Sequence, residues 1–211
     1  MSQGRFITFE GGEGVGKSTQ IRRLAARLGA TGREVVATRE PGGSPGAEAI
    51  RDLLVKGAVD RWSPVTETLL MYAARRDHIE RVIRPALARG AWVVCDRFAD
   101  STRAYQGAAG GTDPGLIAAM ETYVLEEIRP DLTLIFDMAP EAGLARAADR
   151  THAETRFESK GAAFHARLRE AFLGIAAAEP GRCAVIDADQ GLEAVEAQVW
   201  TTVEGRLAVH G

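Results

Sequence analysis

Residues 9–20 read FEGGEGVGKSTQ, and within them Gly11, Gly16, Lys17 and Ser18 satisfy the phosphate-binding pattern G-x-x-x-x-G-K-[ST]. This pattern leaves a chain little choice of local architecture. The loop works only between a strand that aims it and a helix whose first N–H groups face the bound anion. Both are legible here. Phe6–Glu10 is a short apolar run ahead of the loop, and Ile21, Leu24, Ala25 and Leu28 mark one helical face behind it. Backbone N–H groups from Gly11, Gly12, Glu13, Gly14, Val15 and Gly16 through Ser18 and Thr19 then surround a phosphate, and the helix N-terminus adds partial positive charge. Lys17 reaches the β- and γ-phosphates, and the Ser18 hydroxyl joins a Mg²⁺ ion. A nucleoside triphosphate follows, but not the reaction it undergoes.

The rest of the chain alternates short apolar runs with helical periodicity. Strands are expected at Phe6–Glu10, Glu34–Thr38, Trp92–Asp96, Leu132–Asp137 and Cys183–Asp187. The runs are rich in Val, Ile, Leu and Phe, as for strands buried on both faces, so an α/β fold with a parallel sheet covered by helices on both sides is implied. Four of the five end in acidic or phosphate-binding segments, which should converge beyond the carboxyl ends of the sheet. Ser63-Pro64 and Pro140 read as helix starts, and Pro85 should bend or interrupt the helix carrying Ile79, Val82 and Ile83. No linker or repeat divides the chain, which reads as a single domain over 1–211. The polar, aperiodic stretch RTHAETRFESKG (150–161) is the candidate mobile loop.

Composition narrows the function. A net charge of −3 over 211 residues offers no basic field for nucleic acid or an anionic membrane. No apolar run approaches the roughly 20 residues that span a bilayer, and the N-terminus lacks signal-peptide features, so a cytoplasmic location is expected. Cys95 and Cys183 read as buried packing, and His78 and His165 as packing or surface residues rather than bases. The chain contains no asparagine, which removes the usual N-K-x-D reader of guanine and argues against a GTPase switch.

The acceptor side is marked by arginines in separate segments: Arg39 and Arg97 just after strands, Arg51 in the following helix, Arg150 and Arg156 in the polar stretch. A kinase acting on an alcohol gains from a base that removes the hydroxyl proton. One acting on a phosphate monoester instead needs cations that bring two anions together, as these residues would.

With TREPGGSPGAEAIR (38–51), YAARRDH (72–78), DRFADSTRAYQG (96–107) and RFE (156–158) added to the phosphate loop, the sequence resembles bacterial thymidylate kinases, P-loop nucleoside monophosphate kinases. The resemblance covers nearly the whole chain. It implies a five-stranded parallel sheet, a homodimer packed through helices, and transfer of the ATP γ-phosphoryl group to dTMP with Mg²⁺. It also implies residue roles. Lys17 and the loop amides hold the transferred group. Arg39, Arg51 and Arg97 surround the dTMP phosphate, with Arg51 and Arg97 the more direct contacts. Asp96 sits near Mg²⁺ with Ser18. Arg75 faces the thymine carbonyl, Gln106 the base edge, Tyr105 the sugar, and Ser101 shapes the base pocket.

The same resemblance accounts for a carboxylate, Glu13, inside an anion-binding loop: it points to the acceptor and organises the sugar hydroxyl or nearby arginines. Some relatives carry Arg directly after that acid. Here the position is Gly14, so the transition-state cation is expected from a lid over about 150–161, through Arg150 and Arg156. Two departures put the base pocket in question. Met71 stands where relatives often have a stacking Phe, and QGAAGG (106–111) has Gly110 where many have Arg. Rival readings are a kinase for another nucleoside monophosphate and a non-catalytic nucleotide-binding regulator. The acceptor-side arginines argue against the second.

Overall fold

A computed structural model of the chain describes residues 4–58, 60–148, 155–158 and 160–209. Five strands, β1 (Arg5–Gly11), β2 (Val35–Arg39), β3 (Trp92–Asp96), β4 (Leu132–Asp137) and β5 (Cys183–Asp187), form one sheet in the order β2-β3-β1-β4-β5. Every neighbouring pair is parallel. The expected strands fall within one residue of these bounds, apart from the extension of β1 into Gly11.

Ten α-helices accompany the sheet among the described residues: α1 (Lys17–Ala30), α2 (Pro45–Val55), α3 (Pro64–His78), α4 (Arg84–Ala88), α5 (Ala99–Thr102), α6 (Pro114–Leu125), α7 (Pro140–Ala148), α8 (Thr155–Glu158), α9 (Ala162–Ala178) and α10 (Leu192–Leu207). Both proline-marked starts hold. The Ser63 side chain accepts from Thr66 N, with Pro64 at the first position of α3. Pro85 acts as expected. The helix widens into a π-helical turn over Ile79–Ile83, and α4 begins just before the proline, because the ring cannot donate and crowds the preceding turn. A second π-helical turn, Arg103–Ala108, follows α5.

Alternation along the strands divides the core. Ile7, Phe9, Val94, Leu134 and Phe136 pack under α1 and α10. Phe6, Val93 and Cys95 pack on the opposite face with Ile79, Ile83, Phe98 and Leu125, and Ile135 there meets Phe164, Leu168 and Phe172 of α9. Cys95 and Cys183 are both buried and unbridged. With β1 hydrogen-bonded to β3 on one side and β4 on the other, the phosphate loop leaves from the centre of the sheet, where an open α/β fold places its ligand crevice.

Candidate active site

The loop after β1 closes over its own lysine. Lys17 is buried and its Nζ donates to Gly12 O at 2.7 Å and Gly11 O at 3.3 Å. Burial first, then the neighbouring Arg97, pulls its ammonium down to about 8, against the attraction of Asp96, Glu13 and Glu10. Ser18, in the first turn of α1, donates from Oγ to Asp96 Oδ2 at 3.0 Å. The hydroxyl and carboxylate expected near a metal are thus adjacent, brought together from residues 78 positions apart.

The loop lies hard against α7. A Cβ on Gly14, where φ is +70°, would sit 1.8 Å from Gly143 O, and one on Gly143 would sit 2.4 Å from Glu13 O. No side chain fits at position 14 in this packing, so the loop here cannot carry an arginine at that position without moving α7. Gly110 is tight for a similar reason: a Cβ there would meet Tyr105 O at 2.6 Å and Gln106 O at 2.7 Å.

The Glu13 side chain bonds to Arg97 and Tyr105. Its Oε1 accepts from Arg97 Nη2 at 3.0 Å and from Tyr105 Oη at 2.7 Å. Burial alone would raise this carboxyl, but Arg97, Lys17, the Tyr105 hydroxyl and His165 overcome it and hold it at about 2. Arg97 also donates from Nη1 to Gly11 O at 2.8 Å and to Ser101 Oγ at 3.2 Å. Its backbone occupies the left-handed region, φ 67°, which is uncommon for a side chain of this size. Its N–H donates to Phe9 O at 2.9 Å, so the sheet itself fixes the unusual turn that aims Arg97 across the loop.

These residues open on a cleft of about 300 Å³. Lys17, Ser18, Glu13, Asp96, Arg39, Arg51 and Arg97 all line it. Arg39 is half exposed and its Nη2 contacts both Glu48 oxygens at 3.0 Å, while Arg51 donates to Pro41 O. Met71, Arg75, Ser101, Tyr105 and Gln106 line the far end. Arg75 is buried and over-anchored: Nε donates to Glu40 Oε2 at 2.7 Å, and Nη2 to Phe98 O at 2.9 Å and Thr102 Oγ1 at 3.1 Å. Its Nη1 is buried with no hydrogen-bond partner. His78 completes this anchor rather than serving as a base, with Nδ1 2.9 Å from Glu40 Oε1 and Nε2 2.7 Å from Thr38 Oγ1.

One expected placement differs. Arg156, read from sequence as a lid cation near the transferred phosphate, is buried on α2 and α3. It pairs with Glu67 Oε2 at 2.6 Å and donates to Leu54 O at 2.9 Å and Ala58 O at 3.1 Å. Its neighbour Phe157 reaches the cleft instead, edge-on to Tyr105 with ring centroids 5.7 Å apart. Arg150 lies outside the described residues.

Three acids missed from sequence hold the site together: Glu10, Glu40 and Glu67. Glu10 at the end of β1 is fully buried and accepts from Phe98 N at 2.7 Å, Ser101 Oγ at 2.5 Å and Ser101 N at 3.3 Å. Burial, helped by Asp100, pushes its carboxyl up to about 7 against the pull of the Ser101 hydrogen bond and Arg97. The folded-state value lies above the ordinary 4.5, so its contribution to stability is whole below that pH and is lost as pH rises through about 7. Thermal melts between pH 5 and 8 should show stability falling by on the order of 3 kcal/mol from this group. In Glu10→Gln that slope should flatten, and an unchanged slope would rule the assignment out.

Comparison with known proteins bears on this geometry. A family profile described as thymidylate kinase matches residues 9–199. The chain is 68% identical to a thymidylate kinase of Caulobacter vibrioides over 209 residues, covering 99% of this chain and all of that one. It is 55% identical to a thymidylate kinase of Nitrobacter winogradskyi over 206 residues, with 97% and 90% covered. The crystal structure of thymidylate kinase from Ehrlichia chaffeensis superimposes with a TM-score of 0.78 at 34% identity, covering 95% of this chain and 99% of that one.

Proposed function

The chain belongs to the thymidylate kinase family, phosphotransferases that convert dTMP to dTDP with ATP as donor, and we propose that it performs this transfer by clamping two phosphates between Lys17 and Arg97. The observation that carries the residue assignment is the Glu13 junction. One carboxylate oxygen of the donor loop binds both the acceptor-side Arg97 and Tyr105, so the two halves of the cleft are held at one registered separation. Phosphoryl transfer asks the protein mainly for such positioning and for charge, because the dTMP phosphate is already an oxyanion nucleophile.

In this reading the loop amides from Gly11 to Thr19 and Lys17 hold the ATP phosphates. Arg97, Arg51 and Arg39 hold the dTMP phosphate. Tyr105 underlies the sugar, Arg75 Nη1 meets the thymine carbonyl, and Met71 and Ser101 shape the pocket. Ser18 and Asp96 would hold Mg²⁺, which when bound supplies charge neutralisation at the phosphates. The residues fit that ion: both donors are oxygens, they lie 3.0 Å apart, and Mg²⁺ characteristically takes few protein ligands with phosphate and water completing its shell.

The homodimer belongs to the same proposal. Leu53 on α2, Val65 and Leu69 on α3, and Tyr123 on α6 are exposed apolar side chains, and α3 packs against both α2 and α6. A helical interface there would cover them. Among the described residues no helix is long and apolar enough to cross a membrane; a cytoplasmic site of action fits the soluble nucleotide substrates. The whole chain acts as one domain, with 150–161 as its lid.

The test is an ADP-release assay with ATP, Mg²⁺ and a panel of dTMP, dUMP, CMP and AMP. Strong preference for dTMP is expected. Turnover independent of any nucleoside monophosphate would overturn the assignment.

A further inference from the structure

The far end of the cleft contains an orientation problem that one buried acid solves. A glutamine amide can present either its oxygen or its NH₂ group, and the two read opposite bases. Gln106 is buried and lines the cleft. Its Nε2 donates to Glu67 Oε1 at 2.9 Å. A carboxylate only accepts, so it captures the NH₂ end of the amide and leaves Oε1 as the atom offered to the cleft. Among the described residues nothing hydrogen-bonds to that oxygen. Glu67 is itself fixed by the 2.6 Å contact of its other oxygen with Arg156 Nη1, both side chains being almost wholly buried.

We infer that Glu67 is a specificity-determining positioning residue, which locks Gln106 to present an acceptor and so selects bases bearing N3–H. Arg75 lines the same cleft, and its Nη1, buried and unpartnered, supplies the complementary donor for a 4-carbonyl. An acceptor beside a donor matches the N3–H and O4 of a thymine or uracil ring. It opposes both edge atoms of cytosine, whose N3 accepts and whose 4-amino group donates. Arg156 ties the arrangement to α8, whose Phe157 lines the cleft. This inference rests on the dTMP kinase reading and deepens it.

The experiment compares kcat/KM for dTMP and dCMP, with thermal melts as a check on folding. Wild-type preference for dTMP tests the underlying reading alone. In Glu67→Gln the partner at position 67 can donate as well as accept, so Gln106 is free to turn. The dTMP/dCMP ratio should fall by about 10-fold or more, with dCMP gaining in absolute terms. In the double variant Glu67→Gln/Gln106→Glu the amide and carboxylate exchange places, an acceptor again faces the cleft, and most of the ratio should return. A purely structural role would depress both substrates alike and leave the exchange without effect. An unchanged ratio in folded Glu67→Gln overturns the inference. If that variant does not fold, the folded double variant decides: restored preference supports the inference, absent preference ends it.

Discussion

Arg97→Met is expected to lower kcat/KM for dTMP by about 10³-fold or more, close to 4 kcal/mol of transition-state stabilisation, while KM for ATP shifts by less than about threefold. Two losses combine. The first is the cation itself, which a methionine of similar length cannot replace beside a phosphate. The second is what its absence does to Glu13. Arg97 is the strongest of the groups holding that carboxylate at about 2, so without it a negative charge faces the incoming phosphate with only the weaker influences of Lys17, Tyr105 and His165 to offset it. Donor binding should largely survive because Lys17 keeps its own contact with Gly12 O and the loop amides remain, although Arg97 also braces the loop at Gly11 O. Arg39→Met is the contrasting case. Its guanidinium is half exposed and already neutralised by both oxygens of Glu48, so a loss under about 10-fold is expected. Steady-state kinetics on both variants checks the pair, and an Arg97→Met enzyme within 10-fold of wild type would sink the clamp.

What was legible in the sequence follows the range of the interactions involved. The strands were readable because each is a short run rich in β-branched and apolar residues, buried almost throughout in the central strands and only partly in the edge strands β2 and β5, and Pro64, Pro85 and Pro140 marked helix boundaries through effects confined to one turn. The cleft residues were readable because phosphate chemistry demands particular side chains right after particular strands, and Asp96, Arg97 and Arg39 sit there. The buried acids carried no such signal. Glu10 binds Ser101 across 91 positions, Glu67 binds Gln106 across 39, and Glu40 binds Arg75 across 35. A lone glutamate on a helix or at a strand end reads as a solvated residue until the fold supplies its partners. The same limit explains Arg156: its place in a polar stretch suggested a cation open to the phosphates, and only the packing of α8 on α2 and α3 reveals a buried pair.

That placement separates two arginines that the sequence treats alike. Arg156→Ala is expected to lower the melting temperature by roughly 6–20 °C, because it strands Glu67 as an unpaired buried charge at about 3–5 kcal/mol, and a chain of this length loses about 2–4 °C per kcal/mol. To act on the transferred phosphoryl group, Arg156 would first have to leave Glu67 and the carbonyls of Leu54 and Ala58, at a cost of the same size. Arg150, the other arginine of that polar stretch, lies outside the described residues. It is the candidate for the cation that Gly14 cannot supply, and Arg150→Ala should lower kcat at least about 100-fold with little change in dTMP affinity and a melting temperature within about 2 °C of wild type. Melting curves and kcat measured side by side decide between them. If Arg156→Ala instead keeps wild-type stability and loses kcat, the ion pair with Glu67 is a resting contact that the lid abandons in every turnover, and the transition-state cation is Arg156 after all.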